Sequence, residues 1–379
     1  MNSTSQYTIQ ALLEVGQEAE ARQSEIETNR CIPDDLIIKL KETGILHTWT
    51  AAAYGGKQGD ILSLVNSIQE LAYYNGSIAW IVGVTGTAAL GSGYLQPQVA
   101  QEVFGHPMAQ VGGWAVPAAM AQTVEGGLLV SGKWAWGSGI RHCTHIVGGV
   151  IALDEDNKPK SALVYMDPKD VEFIDNWQVL GLRGSNSIDY SVKDLFIPDG
   201  KWVWFPSSKA AVDAALYRFS FLGALASGVA GVALGLAHRA LDEIKNLSQK
   251  KRPMGAKKTL AERPVIHDRI ARMEAAYYSA KLFLEAAIQE SWKAAEDRKQ
   301  TAAQKSKLRL AAANAVEVSA QVVRDAYQIG GGSSIWDGVK LQELFRDVNA
   351  ITQHGLVASP IFEVVGRVSM GQKVNEALL

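Results

Sequence analysis

The chain has 379 residues, of which 47% are hydrophobic, and its 37 Lys and Arg against 39 Asp and Glu give a net charge of −2. A chain of this length can form two or three packed domains. Its near-neutral balance argues against binding to nucleic acid or to an anionic membrane surface, because both need clustered positive charge. Two cysteines, Cys31 and Cys143, exclude a disulfide framework and a four-cysteine zinc site.

The run His142-Cys143-Thr144-His145 brings three metal-binding residues into four positions. If the run were a strand, His142 and Cys143 would point to opposite faces, so we predict no metal site here. Residues 1–6 contain neither the basic segment nor the apolar core of a secretion signal. We therefore expect a cytoplasmic protein.

Residues 1–110 are predicted to form a helical domain. Apolar residues recur at helical spacing in Ile61 to Tyr73 and again in Ser77 to Leu90. The segment Tyr54-Gly55-Gly56 interrupts the pattern and predicts a turn between helices.

Residues 111–210 are predicted to form a small, mostly antiparallel β-domain. Thr123 to Trp134 alternates around Gly126-Gly127, which is typical of a β-hairpin. His145 to Leu153 and Ser161 to Met166 follow as a second pair of strands on either side of a polar turn.

Residues 211–379 return to helical spacing and predict a C-terminal four-helix bundle. Arg263-Pro264 is predicted to open a helix that runs past Glu285, and Ala302 to Ile329 is predicted to form another. The last helical region, Leu341 to Met370, is expected to be interrupted at Pro360.

Two long stretches carry no charge and could span a bilayer by length alone. Gly76 to Gln101 has 26 residues and Phe219 to Ala237 has 19. Both are rich in glycine and serine and have no aromatic belt with basic flanks, so we predict buried helices and no membrane span.

The order of helices, sheet and helices, together with several short motifs, resembles the acyl-CoA dehydrogenase fold. Taken singly these motifs are weak, but they occur in the family's order and extend over nearly the whole chain. The motifs are Ala53-Tyr54-Gly55-Gly56, Gly76-Ser77-Ile78-Ala79-Trp80, Gly132 to Gly139, Gly181 to Tyr190, Gln328 to Gly332, and Arg346-Asp347.

One position separates two branches of this family. Dehydrogenases commonly carry a glutamate after the Arg-Asp pair, where it removes a proton from an acyl thioester. Here the segment reads Ile351-Thr352-Gln353-His354-Gly355. A histidine at this position resembles the pattern of the two-component flavin monooxygenases. These enzymes use reduced flavin (FADH2 or FMNH2) and O2 to form a C4a-hydroperoxyflavin. The resemblance implies hydroxylation of a small aromatic substrate, of the indole or phenol type, and a separate flavin reductase as partner.

The resemblance also implies roles for individual residues. His354 is expected to be catalytic, exchanging a proton with the substrate, and Asp347 is expected either near it or in an ion pair with Arg346. Ser138 is expected to contact flavin N5 as a second catalytic residue, and Trp136 to wall the ring system. The full set of expected flavin-binding residues is Trp136, Ser138, Arg183, Ser187, Gln328, Gly331 and Gly332.

The substrate is expected to lie between the middle helices and the flavin loop. Its expected contacts are Ser77, Trp80, Thr85, Trp114 and His354. The glycines of 330–332 are expected to reach the cofactor of a neighbouring subunit in a homotetramer, as in the family. Two alternatives remain open: an acyl-CoA dehydrogenase that oxidises an acyl thioester, and a helical scaffold without catalytic activity.

Overall fold

The computed structural model describes residues 3–206, 208–298, 300–375 and 379. In these ranges a group of helices comes first in the sequence, the strands of one sheet follow, and a second group of helices comes last. Asp60 begins α4 by accepting a hydrogen bond from the N–H of Ser63, and Asn75 begins α5 in the same way with Ile78. The helices before the sheet are α1 (Ser3–Ala21), α2 (Gln23–Asn29), α3 (Asp34–Glu42), α4 (Ile61–Tyr74), α5 (Gly76–Ala88) and α6 (Pro97–Phe104).

Helix α5 is buried along almost its whole length. It packs against α8 (Phe221–Lys250), where a Cβ atom on Gly228 would lie 3.7 Å from the Cα of Gly83. Two glycines facing each other let the helix backbones approach closely. Within the described ranges, α8 is the one helix long and apolar enough to span a membrane, and 78% of its most apolar window is buried inside the protein. The two uncharged stretches therefore contribute helices that cover one another.

Seven strands form a single mixed sheet in the order β5-β6-β2-β1-β3-β4-β7. The hairpin predicted at Gly126-Gly127 is confirmed, since β1 and β2 pair there from Val124↔Gly127 onwards. The strands are β1 (Val111–Val124), β2 (Gly127–Gly137), β3 (His145–Leu153), β4 (Pro159–Met166), β5 (Glu172–Ile174), β6 (Ile188–Pro198) and β7 (Trp202–Trp204).

The sheet is mostly antiparallel, as predicted, but it is mixed, because β1 and β3 run parallel. The chain reverses once between β1 and β2 and again in the turn of residues 138–144, so β3 has the direction of β1. It pairs on the free edge of β1, since the other edge of β2 is already taken by β6.

The sheet packs around Trp134, which is fully buried. Its indole N–H donates to the carbonyl oxygen of Gly149 at 2.7 Å, and its ring stacks on Tyr190 with 5.3 Å between centroids. The Tyr190 hydroxyl in turn accepts from the N–H of Trp114 and donates to the carbonyl of Val147. These contacts fix the first half of β1, from which the Trp114 side chain projects.

The remaining helices follow the sheet. Thr301 begins α10 with a capping box that includes Gln304, and α10 ends before Gly331, whose φ is 52°. The helices are α7 (Ala215–Arg218), α8, α9 (Pro264–Glu296), α10 (Ala302–Gly330), α11 (Lys340–Ile351) and α12 (Pro360–Ser369).

The predicted break at Pro360 is misplaced. The helical region ends at Ile351, the segment between 352 and 359 forms turns, and Pro360 opens α12. Proline is favourable in the first turn of a helix because the N–H it lacks would have no helical partner there. This shift puts His354 in a turn between two helices.

Candidate active site

Three parts of the fold meet at a chain of buried side-chain hydrogen bonds. The indole N–H of Trp80, on α5, donates to Ser138 Oγ at 3.0 Å. Ser138 Oγ lies 2.7 Å from Ser187 Oγ, which lies 2.8 Å from Ser185 Oγ. All four residues are buried. Ser138 therefore has a fixed N–H donor on one side and a hydroxyl that can donate or accept on the other.

The backbone around Ser138 is bent so that neighbouring side chains separate. Trp136 has a φ of 58°, which is uncommon for a non-glycine residue, and Gly139 has a φ of 64°. The Gly139 N–H donates to the carbonyl of Ser185 at 2.8 Å, which ties the two serine loops together. Ser138 consequently turns inward, while the Trp136 ring is 58% exposed and packs against Trp114 at 5.1 Å between centroids.

His354 lies on the other side of Trp80. The two rings meet edge to face, with 5.5 Å between centroids. Burial and the positive charge of Arg309 lower the pKa of His354 to about 4. Arg309, on α10, is itself buried, and desolvation lowers its pKa to about 10. At neutral pH, His354 is therefore a neutral imidazole beside an arginine cation.

Asp347 does not pair with Arg346, so that expectation is wrong. Arg346 and Asp347 are successive on α11 and therefore project in different directions. Arg346 pairs instead with Glu27, on α2, at 3.0 Å. Asp347 is buried and accepts from the N–H of Leu182 at 2.6 Å. Burial and the nearby Glu343 raise its pKa to about 7. Asp347 thus holds the start of the loop that carries Ser185 and Ser187.

Three other predicted contacts have different surroundings. The guanidinium of Arg183 lies 3.4 Å from Glu27 and donates to the Val179 carbonyl. The Thr85 hydroxyl donates to the carbonyl of Ile81 within α5. The Ser77 hydroxyl lies beside Gly184, 3.2 Å from where a Cβ atom on that glycine would stand. Of the three, Ser77 is the one packed against the serine loop.

Gln328, Gly331 and Gly332 lie in a second place, an open groove of about 600 Å³ between α9 and the end of α10. We call it the basic groove, because Lys251, Arg263 and Arg269 line it as well. Its lining includes none of the residues around Ser138. Within one chain, the predicted flavin-binding residues therefore form two separate groups.

The described part of the chain contains no cluster of three residues able to hold a metal ion. His142 belongs to a short 3₁₀ turn and not to a strand. Its imidazole lies 3.4 Å from Cys31 Sγ and 3.2 Å from Asp34, whereas Cys143 Sγ donates to the carbonyl of Gly139. The turn brings His142 near the Ser138 loop, where it joins that loop to α3.

The sequence reading missed two residues of this site. Ser185 ends the hydroxyl chain, and it stands in the Gly181 to Tyr190 motif only two positions before Ser187. Arg309 is close enough to His354 for its charge to lower the pKa of the imidazole. The sequence feature that could have identified Arg309 is that it is the single charged residue in the apolar run Leu308 to Ala313.

Two family models match the chain: the C-terminal domain of acyl-CoA dehydrogenase over residues 227–359, and the N-terminal domain over residues 9–96. The chain belongs to the acyl-CoA dehydrogenase family. It is 24% identical to indole-3-acetate monooxygenase of Pseudomonas putida over 96% of this chain and 93% of that one. It is 25% identical to the oxygenase component of p-hydroxyphenylacetate 3-hydroxylase of Acinetobacter baumannii over 93% and 86% of the two chains.

Among solved structures, the chain superimposes on XiaF from a Streptomyces species with a TM-score of 0.92, at 21% identity, over 98% and 97% of the two chains. That protein was solved with FADH2 and glycerol. The fold expected from the sequence is confirmed, with the β-domain corrected to a mixed sheet.

Proposed function

We propose that this chain is the oxygenase component of a two-component flavin-dependent monooxygenase and that it hydroxylates a small aromatic compound. Relatives that align over most of the chain are named for such reactions on indole-3-acetate and on p-hydroxyphenylacetate. These names support the reaction class and an aromatic substrate. A separate flavin reductase would supply the reduced cofactor.

The observation that carries the proposal is that, among the residues the structure describes, His354 and not a carboxylate meets Trp80 beside Ser138. A dehydrogenase would need an acidic base at this place to remove a proton from its thioester. The two acids on α11 are committed elsewhere, since Asp347 accepts from Leu182 and Glu343 pairs with Lys340 at 2.9 Å. This arrangement favours oxygenation over dehydrogenation.

The residues around Ser138 suit a flavin ring. When bound, reduced flavin supplies the electrons that activate O2. Ser138 would hydrogen-bond the polar edge of the ring, and Ser187 would complement it by donating or accepting. The exposed face of Trp136 offers an aromatic surface that nothing in the described chain covers. Trp80 and His354 would close the site against water, which favours transfer of oxygen over release of peroxide.

The basic groove suits the phosphate groups of a flavin nucleotide. Lys251, Arg263 and Arg269 supply positive charge there, and Gly331 presents backbone without a side chain. Because this groove and the Ser138 group are separate within one chain, we propose that the groove of one subunit serves the site of another in a homotetramer. Each flavin site would then be complete only when the subunits have assembled into the tetramer.

We also propose the division into a helical domain (1–110), a β-domain (111–210) and a C-terminal bundle (211–379), in a cytoplasmic enzyme. The element bounds support it, since β1 begins at Val111 and α7 at Ala215.

The test combines the purified protein with a generic flavin reductase, NADH, FAD or FMN, and ¹⁸O2, and then analyses products from a panel of phenols and indoles by mass spectrometry. Incorporation of one ¹⁸O atom into an aromatic product supports the proposal. Consumption of O2 with peroxide as the sole product across the panel argues against it. A parallel assay with acyl-CoA thioesters and an artificial electron acceptor tests the dehydrogenase alternative.

A further inference from the structure

A cysteine, a histidine and an aspartate that the proposed reaction does not use lie in contact outside the candidate active site. Cys31 Sγ lies 3.4 Å from His142 Nε2, and His142 Nδ1 lies 3.2 Å from Asp34 Oδ1. Cys31 lies between α2 and α3, and Asp34 begins α3, whereas His142 belongs to the turn that follows Ser138. The fold therefore brings these groups together from two distant segments of the chain.

The carboxylate sets the direction of the hydrogen bonds in this cluster. A carboxylate can only accept, so the hydrogen of the neutral imidazole lies on Nδ1, facing Asp34, and Nε2 is left as an acceptor. The Cys31 thiol is the donor that faces Nε2, and the carbonyl oxygen of Ile32, at 3.5 Å, is its other acceptor. A nucleophile, a base and an acid that orients the base thus stand in the order that activates a thiol.

The three groups differ in their contact with solvent. The His142 side chain is 6% exposed and the Asp34 side chain is 92% exposed, while Cys31 is partly exposed. Burial raises the pKa of the Cys31 thiol to about 11 and lowers the pKa of His142. The resting pair is therefore a neutral thiol beside a neutral imidazole. Because the thiolate is the reactive form, the thiol depends on the imidazole to remove its proton.

The second cysteine provides a comparison within the same protein. Cys143 is buried, and its thiol donates to the carbonyl oxygen of Gly139 at 3.6 Å. Burial raises its pKa to about 12. A backbone carbonyl cannot take a proton, so this thiol has no comparable means of activation in that contact. The two cysteines are therefore expected to differ in reactivity.

The cluster is also tied to the loop that carries the buried serines. The carbonyl oxygen of Arg30, next to Cys31, accepts from Asn186 Nδ2 at 2.9 Å. Asn186 Oδ1 accepts from Arg141 Nε at 3.0 Å, in the turn that carries the histidine. Asn186 thus joins the two segments that meet at the thiol. An oxygen atom added to Cys31 would press these segments apart and disturb the serine loop.

We propose that Cys31 is a modification site for hydrogen peroxide, with His142 as its base, and that oxidation of Cys31 impairs the candidate active site. The inference rests on the proposed monooxygenase function only for the source of the peroxide, which reduced flavin and O2 release when no substrate is oxidised. An enzyme that consumes reduced flavin without substrate would then inactivate itself.

The step balances with peroxide as the oxidant. His142 Nε2 takes the thiol proton while the sulfur attacks one peroxide oxygen, so that an S–O bond forms and the O–O bond breaks. The leaving hydroxide takes the proton from Nε2 and departs as water. The sulfur loses two electrons and the peroxide gains them, and the product is a sulfenic acid, which an added thiol reduces. Asp34 stabilises the imidazolium between the two proton transfers.

The first test follows the modification in the purified protein without flavin. Hydrogen peroxide is added together with dimedone, which captures sulfenic acids and not thiols, and the labelled peptides are quantified by mass spectrometry. Cys31 should be labelled at least about tenfold faster than Cys143, as expected for a thiol with a positioned base. His142→Gln should slow the labelling of Cys31 about tenfold, and Asp34→Asn should slow it about threefold.

Asp34→Asn keeps the test independent of folding, because the side chain it changes is 92% exposed. Asp35→Asn, which changes the next acid along the chain and its contact with Arg22, is the matched control and should leave the rate unchanged. Equal labelling of the two cysteines would overturn the proposal. So would a Cys31 rate that neither His142→Gln nor Asp34→Asn lowers.

The second test measures the consequence for the reaction. The wild-type protein is treated with peroxide, freed of it with catalase, and assayed with reductase and ¹⁸O2. Product formation should be slowed at least about fivefold, since small displacements of positioning groups are costly in rate, and dithiothreitol should restore it. Cys31→Ser should keep its rate under the same treatment. Wild-type protein that keeps its full rate while Cys31 is oxidised would overturn the proposed effect on the active site.

Failure of the monooxygenase proposal would look different. Dimedone would still label Cys31 in preference to Cys143 and in dependence on His142, but no ¹⁸O would enter any aromatic product. Conversely, ¹⁸O incorporation without labelling of Cys31 would contradict this inference alone.

Discussion

Replacing His354 by glutamine should make the folded protein less sensitive to acid. In the native state the pKa of this histidine is lowered from 6.5 to about 4 by burial and by Arg309. Between these two pH values the unfolded chain binds a proton that the folded chain excludes. The free energy of unfolding of the wild-type protein therefore falls as the pH is lowered from 6.5 to 4. Glutamine has no titrating group and removes this contribution.

The size of the effect follows from the two pKa values. One pKa unit corresponds to about 1.36 kcal/mol, so a change from 6.5 to about 4 amounts to about 3 kcal/mol per chain. The stability is fully present above pH 6.5 and lost once the pH is below 4. With a urea dependence of about 3 kcal/mol per molar, suited to a chain of this size, the unfolding midpoint should move by about 1 M.

The assay is urea unfolding followed by circular dichroism at pH 7.5, 6, 5 and 4. Protein concentration is held fixed, because the stability of an oligomer depends on it. The difference between the midpoints of wild type and His354→Gln should change by about 1 M across this range. The control variant His267→Gln, which removes an exposed histidine on α9, should follow the wild type. A difference that stays constant with pH would refute the reasoning, since His354 would then titrate alike in both states.

Four further substitutions, at three positions, test other contacts. Trp80→Phe removes the N–H donor to Ser138, worth about 1 kcal/mol, and should raise the fraction of O2 released as peroxide about fivefold, measured by O2 recovery with catalase; unchanged coupling would contradict this role. Asp347→Ala leaves the buried Leu182 N–H without its acceptor and should lower the free energy of unfolding by about 1–3 kcal/mol in urea titrations. The native pKa of the Asp347 carboxyl is raised to about 7, so the free energy of unfolding of the wild-type protein should fall as the pH rises from 4 to 7. Asp347→Asn has no such carboxyl and should not show this fall; a pH profile identical to that of the wild type would count against this expectation. Arg269→Gln should weaken anaerobic binding of flavin nucleotides about tenfold and leave riboflavin, which has no phosphate, unaffected; an equal loss for riboflavin would remove the groove from phosphate binding.

The order of helices and strands was predictable because it depends on local periodicity. Apolar spacing marked the long helices, and Pro264 and Gly331 fixed two of their ends. The parallel pairing of β1 with β3 was not predictable in this way. It depends on β3 pairing with β1 and not with β2, whose other edge is occupied by β6, a strand that begins 35 positions after the end of β3.

The candidate site shows the same division between local and distant causes. Motif order pointed to Trp80, Ser138, Ser187 and His354, and the structure brings these four into one group. What the motifs left out is the direction of each hydrogen bond. The turn that carries His354, for example, receives a hydrogen bond on its Leu356 carbonyl from Arg309, a side chain 47 positions earlier in the chain.

That side chain, Arg309, carried a readable signal. It lies on the same helical stripe as Ala312, Ala313 and Val316, and all of these are buried. A cation on an apolar stripe is costly to desolvate, so it persists only where it has a defined partner. Arg309 meets that condition by donating to the Leu356 carbonyl beneath His354. A charge that breaks the apolar stripe of a core helix therefore points to the site more directly than the ten tryptophans do, since most of those are accounted for by packing.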